Sequence, residues 1–186
     1  MKPQITFLIL LTGIAVKAQN IDTEFRYLDS TNQGVEIQNS FPKVGLTYTD
    51  RTGITNSYIV FWTRIVNHSD NTLVLVINFP TDSFTVPDAP DTHFKLLVPS
   101  DEMTAGKESL FNYGLDVPSI LGENMQLPTG LQKDIKPKAT YAFYVVALFN
   151  KGINGVVRAK FEAQGPDLSY TITGKEINAG QLVFKN

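Results

Sequence analysis

The chain has 186 residues, 16 Lys and Arg against 18 Asp and Glu, two His and no Cys. A formal charge of −2 with no dense basic cluster argues against a nucleic-acid partner, and without thiols there are no disulfides, thiolate metal sites or cysteine nucleophiles. The first eighteen residues form a distinct segment. Lys2 gives a positive start, Ile5–Val16 an apolar run, and Val16-Lys-Ala18 the small residues that a signal peptidase needs, so 1–18 reads as a signal peptide cleaved before Gln19. About 12 apolar residues fall short of the roughly 20 that span a bilayer. With no Cys after the run, a lipid anchor has no thiol to attach to. Export without disulfides points to a bacterial periplasmic or secreted protein. Cleavage would leave 14 basic and 18 acidic residues, in a length suited to one domain over 19–186.

From there the pattern is that of strands. Val35–Gln38 and Leu46–Thr49 are short β segments, and Asp50-Arg-Thr-Gly53 has the form of a type I turn whose last residue takes positive φ. Tyr58–Val66 and Leu73–Phe79 flank the polar Asn67–Thr72 and read as a β-hairpin. Tyr58–Val66 is apolar on both alternating faces, which requires both faces of its sheet to be covered, and Trp62 in its middle is expected in the sandwich core. A loop with Pro87 and Pro90 leads to a strand at Phe94–Val98. The strand pattern then lapses over 100–132, where Asp116–Met125 carries an N-cap residue, a first-turn proline and apolar Val117, Ile120, Leu121 and Met125, the features of a short helix. Strands resume at Thr140–Phe149, Val156–Gln164, Leu168–Ile172 and Leu182–Val183-Phe184. About nine strands with frequent turns predict an all-β antiparallel sandwich with one short helical insertion.

Two stretches carry a family resemblance. Val66-Asn-His-Ser-Asp-Asn-Thr-Leu73, continued by Leu75, Ile77 and Phe79, resembles the strand turn "N-x-S-x-x-x-L-x-L-x-F" of bacterial immunoglobulin-like sandwiches. Ile135-Lys-Pro-Lys-Ala-Thr-Tyr-Ala-Phe143 is similar to their "L-x-P-G-E-x-x-x-F" entry to a late strand, with Lys138-Ala139 in place of Gly-Glu. The resemblance covers about a quarter of the chain after residue 18. It implies an immunoglobulin-like fold, and among such domains the spacing is similar to bacterial proteinase inhibitors as well as to many domains of unknown role.

The residues for chemistry are sparse. Two histidines cannot supply a three-His zinc site, and neither a Gly-x-Ser-x-Gly elbow nor a phosphate-binding glycine loop occurs. His68 and His93 read as loop residues. Asp82, Asp88, Asp91, Asp101 and Glu102 have no EF-hand spacing, although loop carboxylates of this kind can gather around Ca²⁺ or act as a glycosidase pair. Phe111 and Tyr113 stand apart from the other aromatics. They fall in the insertion outside regular strands, where an aromatic either pins the loop or presents a contact surface, and they are the candidate binding residues. The expectation is an exported, non-enzymatic binding or structural module with no cofactor and no membrane span. Its partner would be a protein or envelope component, engaged through the insertion or a strand edge. A proteinase inhibitor acting through loop 80–93, or a carboxylate glycoside hydrolase, is the alternative.

Overall fold

The computed structural model describes residues 21–123 and 129–185; the expected signal peptide lies outside them. The architecture is an all-β sandwich of two antiparallel sheets. Its strands are β1 (Ile21–Leu28), β2 (Gly34–Ser40), β3 (Lys43–Thr49), β4 (Thr55–Asn67), β5 (Leu73–Asn78), β6 (Phe84–Val86), β7 (Ala89–Leu97), β8 (Gly130–Ile135), β9 (Thr140–Phe149), β10 (Ala159–Gln164), β11 (Asp167–Ile172) and β12 (Lys175–Phe184). One sheet runs β1-β2-β4-β9-β7-β6, with β3 also on β4, and the other runs β10-β11-β12-β5-β8.

Strands β2 and β3 lie along one side of β4 as a single strand broken at Phe41-Pro42, with β2 also paired to β1 on its far side. β2 pairs the C-terminal half of β4 (Ile37 opposite Ile65) and β3 the N-terminal half (Leu46 opposite Tyr58), while β9 pairs β4 along most of its length. Proline has no N–H to offer the ladder. At the break the Trp62 N–H donates instead to the Ser40 hydroxyl, at 2.8 Å.

The segment expected to be a hairpin is not one. β4 and β5 belong to different sheets, so Asn67–Thr72 is an arch that carries the chain across the sandwich. The turn residues were read correctly, but a polar turn between two apolar runs has the same sequence signature whether the runs pair or face each other. What holds the arch is Asn67. Its buried amide nitrogen donates to the carbonyls of Asn71 (2.9 Å), Lys136 (3.1 Å) and Ile135 (3.2 Å), and its oxygen accepts from the Ser69 N–H (3.0 Å) and hydroxyl (2.7 Å).

Alternation along the strands separates two cores. Ile59, Phe61 and Ile65 of β4 and Phe143, Val145, Ala147 and Phe149 of β9 point between the sheets, where they meet Leu75, Ile77, Phe161 and Tyr170. Tyr58, Val60 and Trp62, with Ala142, Tyr144 and Val146, point the other way and are covered by Met103, Tyr113, Leu115 and Val117 of the insertion. Both faces of the two central strands are therefore covered, as their composition demands. Trp62 is fully buried, but in this second, smaller core rather than in the inter-sheet core where the sequence reading placed it.

Other differences are local. The insertion ends before Gly130, because 130–132 belong to β8; the helix is α1, Val117–Glu123. Strands β1, β6 and β8 were not anticipated. The Pro87/Pro90 loop is largely a hairpin, with Val86 opposite Ala89 and Pro90 in a bulge of β7 before Thr85 pairs His93. The open edge of β10 is met by side chains of the other sheet. The Asn39 amide donates to the Phe161 carbonyl (3.2 Å) and accepts from its N–H (3.0 Å), and the Tyr27 hydroxyl accepts from the Ala163 N–H (3.0 Å).

One turn is suboptimal in a measurable way. Thr173 (φ 50°) and Gly174 (φ 76°) link β11 to β12 as a two-residue loop between Ile172 and Lys175. Positive φ at both positions defines a type I′ turn, for which Asn-Gly is preferred and a β-branched residue is strained. Thr173→Asn is expected to raise the unfolding free energy by about 0.5–1 kcal/mol. Urea melts check this, and an unchanged midpoint would show that Thr173 carries no strain.

Candidate binding surface

The insertion between β7 and β8 lies across the outer face of β4 and β9. From Thr104 to Leu115 it is a run of tight turns, closed by Lys107 N–H to Thr104 (2.9 Å), Leu110 N–H to Lys107 (3.0 Å), Tyr113 N–H to Leu110 (3.1 Å) and Leu115 N–H to Asn112 (3.1 Å), each bond going to the carbonyl. Within it, Asn112 (φ 49°), Tyr113 (φ 55°) and Gly114 (φ 73°) are three consecutive left-handed residues. Glycine takes this conformation freely and asparagine tolerates it; for tyrosine it costs about 1–2 kcal/mol.

Burial holds the strained residue in place. Tyr113 is 1% exposed, its ring edge-on to Trp62 with centroids 6.2 Å apart and the Lys43 ammonium 4.7 Å from its centroid. Its hydroxyl donates to the Phe41 carbonyl (2.6 Å), and its own carbonyl accepts from the Tyr144 hydroxyl (2.7 Å). The preceding Asn112 amide donates to the Tyr58 hydroxyl (3.3 Å). The second core thus fixes the turn from beneath.

The two candidate residues therefore separate. Tyr113 pins the insertion and offers no surface to a partner. Phe111 is 76% exposed and Leu110 49%, side by side on the outside of the same turn. Sequence reasoning missed Leu110. The signal for the turn itself was present, since Asn112-Tyr-Gly114 places two residues tolerant of positive φ around an aromatic that a buried site can fix.

Burial sets the electrostatics of the tyrosines. It pushes the Tyr113 phenol above its ordinary value, and it pushes Tyr144 up to about 12, with the Asp101 carboxylate adding to the effect. The sign of the linkage follows. A raised folded-state value means that Tyr144 contributes its full stabilisation below about pH 10, the unfolded value, and loses it as pH rises toward about 12. The stability difference between wild type and Tyr144→Phe should therefore shrink over pH 10–12, by at most about 1.4 kcal/mol per pH unit. Denaturant midpoints at pH 9, 10, 11 and 11.5 test this. A constant difference would show that Tyr144 does not titrate in that window.

Basic residues from elsewhere in the chain lie against the acidic insertion, Arg51 among them, which donates to the Gly122 carbonyl at 3.4 Å. Residues 100–132 hold five acidic residues and one basic, whereas the rest of 19–186 holds thirteen of each. Asp101, Glu102 and Asp116 are exposed. Glu108 is half-buried in an ion pair with Arg64, whose guanidinium lies 4.7 Å from the Trp62 ring centroid. Glu102 receives Lys133 at 3.3 Å, and Asp116 accepts from the Ser119 hydroxyl at 2.7 Å. The single basic residue, Lys107, donates to the Glu102 carbonyl (2.8 Å).

The remaining candidates are dispersed. Among the described residues, no three His, Cys, Asp or Glu side chains come close enough to hold a metal ion. The His68 imidazole sits 3.4 Å from the Glu36 carboxylate, and the His93 Nδ1 lies 3.1 Å from the Thr85 hydroxyl on the exposed β6–β7 hairpin. At one end of the sandwich the β9–β10 connection borders an open cleft of about 700 Å³ lined by Asp88, Thr92, Lys151, Asn154 and Thr173. Among the described residues no helix is long and apolar enough to cross a membrane. No protein-family model, curated protein or solved structure matches the chain.

Proposed function

We propose that the chain is an exported, non-enzymatic binding or accessory module of a bacterial envelope or secretome, built as an immunoglobulin-like sandwich and engaging a protein or envelope component through its insertion. One observation carries this reading. Two large apolar side chains, Leu110 and Phe111, face solvent on a turn whose left-handed backbone is held by the burial of Tyr113. Backbone strain that the surrounding structure over-determines is characteristic of functional positions, and a rigid exposed aromatic contributes contact area at low entropic cost.

Three features support the remaining parts of the proposal. The leader-like Lys2–Ala18 and the lack of cysteine favour export from a bacterium. The Asn67-x-Ser69 arch closes through the bonds that a structural role for that pattern requires. At the other resembling stretch, Lys138 adopts φ 57° where the pattern has glycine, so the turn keeps its left-handed residue despite the substitution.

The test uses Phe111 as its own probe. With a photoreactive phenylalanine analogue at position 111, irradiation of envelope preparations from the source organism should give a discrete adduct. The same analogue at Val156, 78% exposed on the β9–β10 connection, should not give it. Phe111→Ser should change stability by less than about 0.5 kcal/mol, as expected for an exposed site, while competing poorly for the adduct. Equal labelling from both positions, or none from 111, would overturn the proposal.

A further inference from the structure

We infer that Asn154-Gly155 is a site of spontaneous covalent modification, at which the folded protein converts its own asparagine to aspartate and isoaspartate. The reaction needs only base and water. The Gly155 backbone nitrogen, having lost its proton to base, attacks the side-chain carbonyl carbon of Asn154. A new carbon–nitrogen bond closes a succinimide ring, and the side-chain nitrogen leaves as ammonia with a proton from solvent. Water then opens the ring at one of its two carbonyls. Opening at the side-chain carbonyl gives aspartate, and opening at the backbone carbonyl gives isoaspartate, in which the main chain continues through the former side chain. One water is consumed, one ammonia is released, and nothing is oxidised or reduced.

Three conditions decide whether such a pair reacts in a folded chain, and the β9–β10 connection meets each. The attacking nitrogen must be approachable. Glycine has no Cβ to block the approach, and among the described residues no atom lies within 4 Å of the place where one would stand on Gly155. The groups must also be unengaged, and among the described residues neither the Gly155 N–H nor the Asn154 side chain makes a hydrogen bond. Finally, backbone and solvent must have room. Asn154, Gly155 and Val156 are exposed and lie outside every strand, Gly155 at φ 104°, and Asn154 lines the open cleft of about 700 Å³ together with Asp88 and Lys151. Ile153, packed on the inter-sheet core, and the buried Val157 hold the connection on either side, so the bow between them can change without unseating the strands. Asn150 is the internal contrast. Its side-chain oxygen accepts from the His93 N–H (2.8 Å), its nitrogen donates to the Asp91 carbonyl (3.1 Å), and the next residue is Lys151 rather than glycine.

Conversion places a carboxylate at the cleft beside Lys151 and Asp88, so the molecule gains a negative charge there as it ages. The experiment incubates the folded full chain at physiological temperature and mildly alkaline pH, digests samples with trypsin, and follows the peptides Gly152–Arg158 and Ala139–Lys151 by mass spectrometry. Electron-driven fragmentation tells aspartate from isoaspartate, and the variant Asn154→Asp supplies the standard for the first. Deamidation at Asn154 should run at least tenfold faster than at Asn150, with isoaspartate exceeding aspartate. It should also lie within tenfold of the rate at the same residue in the chain unfolded in guanidinium chloride, which sets the speed without any protection by the fold. A rate at Asn154 less than tenfold above that at Asn150, or more than tenfold below the unfolded rate, would overturn the inference. So would aspartate formed without isoaspartate, since direct hydrolysis of the amide and not ring closure would then be the route.

Discussion

Trp62→Ala should lower the free energy of unfolding by about 3–5 kcal/mol, the range for emptying a buried aromatic site. The indole is fully buried between the central strands and the insertion, against Tyr113 and beneath the Arg64 guanidinium. Its removal opens a void that a sheet on one side and a strained turn on the other are poorly placed to fill. Because Trp62 sits under the insertion and not between the sheets, the damage should be uneven. Hydrogen exchange should accelerate first in 103–117 and least in β5 and β12. Denaturant melts measure the total, and exchange by mass spectrometry measures its distribution. A loss below about 1 kcal/mol would mean that the second core contributes little, and equal acceleration in both sheets would mean that the two cores unfold as one.

Asn67→Ala should cost about 3 kcal/mol or more, although the position lies in a turn. The side chain satisfies three carbonyls and accepts two bonds from Ser69. Leaving a buried polar group without a partner costs about 1–3 kcal/mol, and the bonds to the Ile135 carbonyl and from the Ser69 N–H are both buried. Water entering the arch would recover part of this. Asn67→Asp is the sharper variant, since a carboxylate would face carbonyl oxygens that need a donor. Urea melts of both variants decide the matter. Near-wild-type stability in either would show that the backbone alone sets the arch.

Much of the fold was legible because burial is written into alternation. β4 and β9 are apolar on both faces, and that pattern correctly required a covering layer on each side. What it could not show was which layer covered which face, so Trp62 was assigned to the wrong core. Periodicity also does not reveal pairing: the β4–β5 arch and a hairpin differ in which strand lies beside which, not in where the apolar residues fall. Strand β1 was missed because its outer face is charged and its inner face modest, as in Glu24, Phe25, Arg26 and Tyr27. Strand β8 was missed because Gln132, Lys133 and Asp134 give it a polar look. At the candidate surface, composition identified Phe111 and Tyr113 but could not tell the exposed ring from the buried one. That distinction depends on three consecutive left-handed residues, a conformation that only the packing beneath them enforces.

The side-chain cap on β10 has a consequence for the molecule among its own copies. An edge strand is a template on which another chain can continue the sheet, and the growth of such ribbons underlies much irreversible aggregation. Here the Phe161 peptide group finds its next neighbour in the Asn39 amide, a single side-chain imitation of a strand, and the Ala163 N–H is taken by the Tyr27 hydroxyl. These three backbone groups are satisfied without the sheet being extended. At high local concentration, this seals one of the sandwich's margins against strand recruitment with two side chains in place of an added strand.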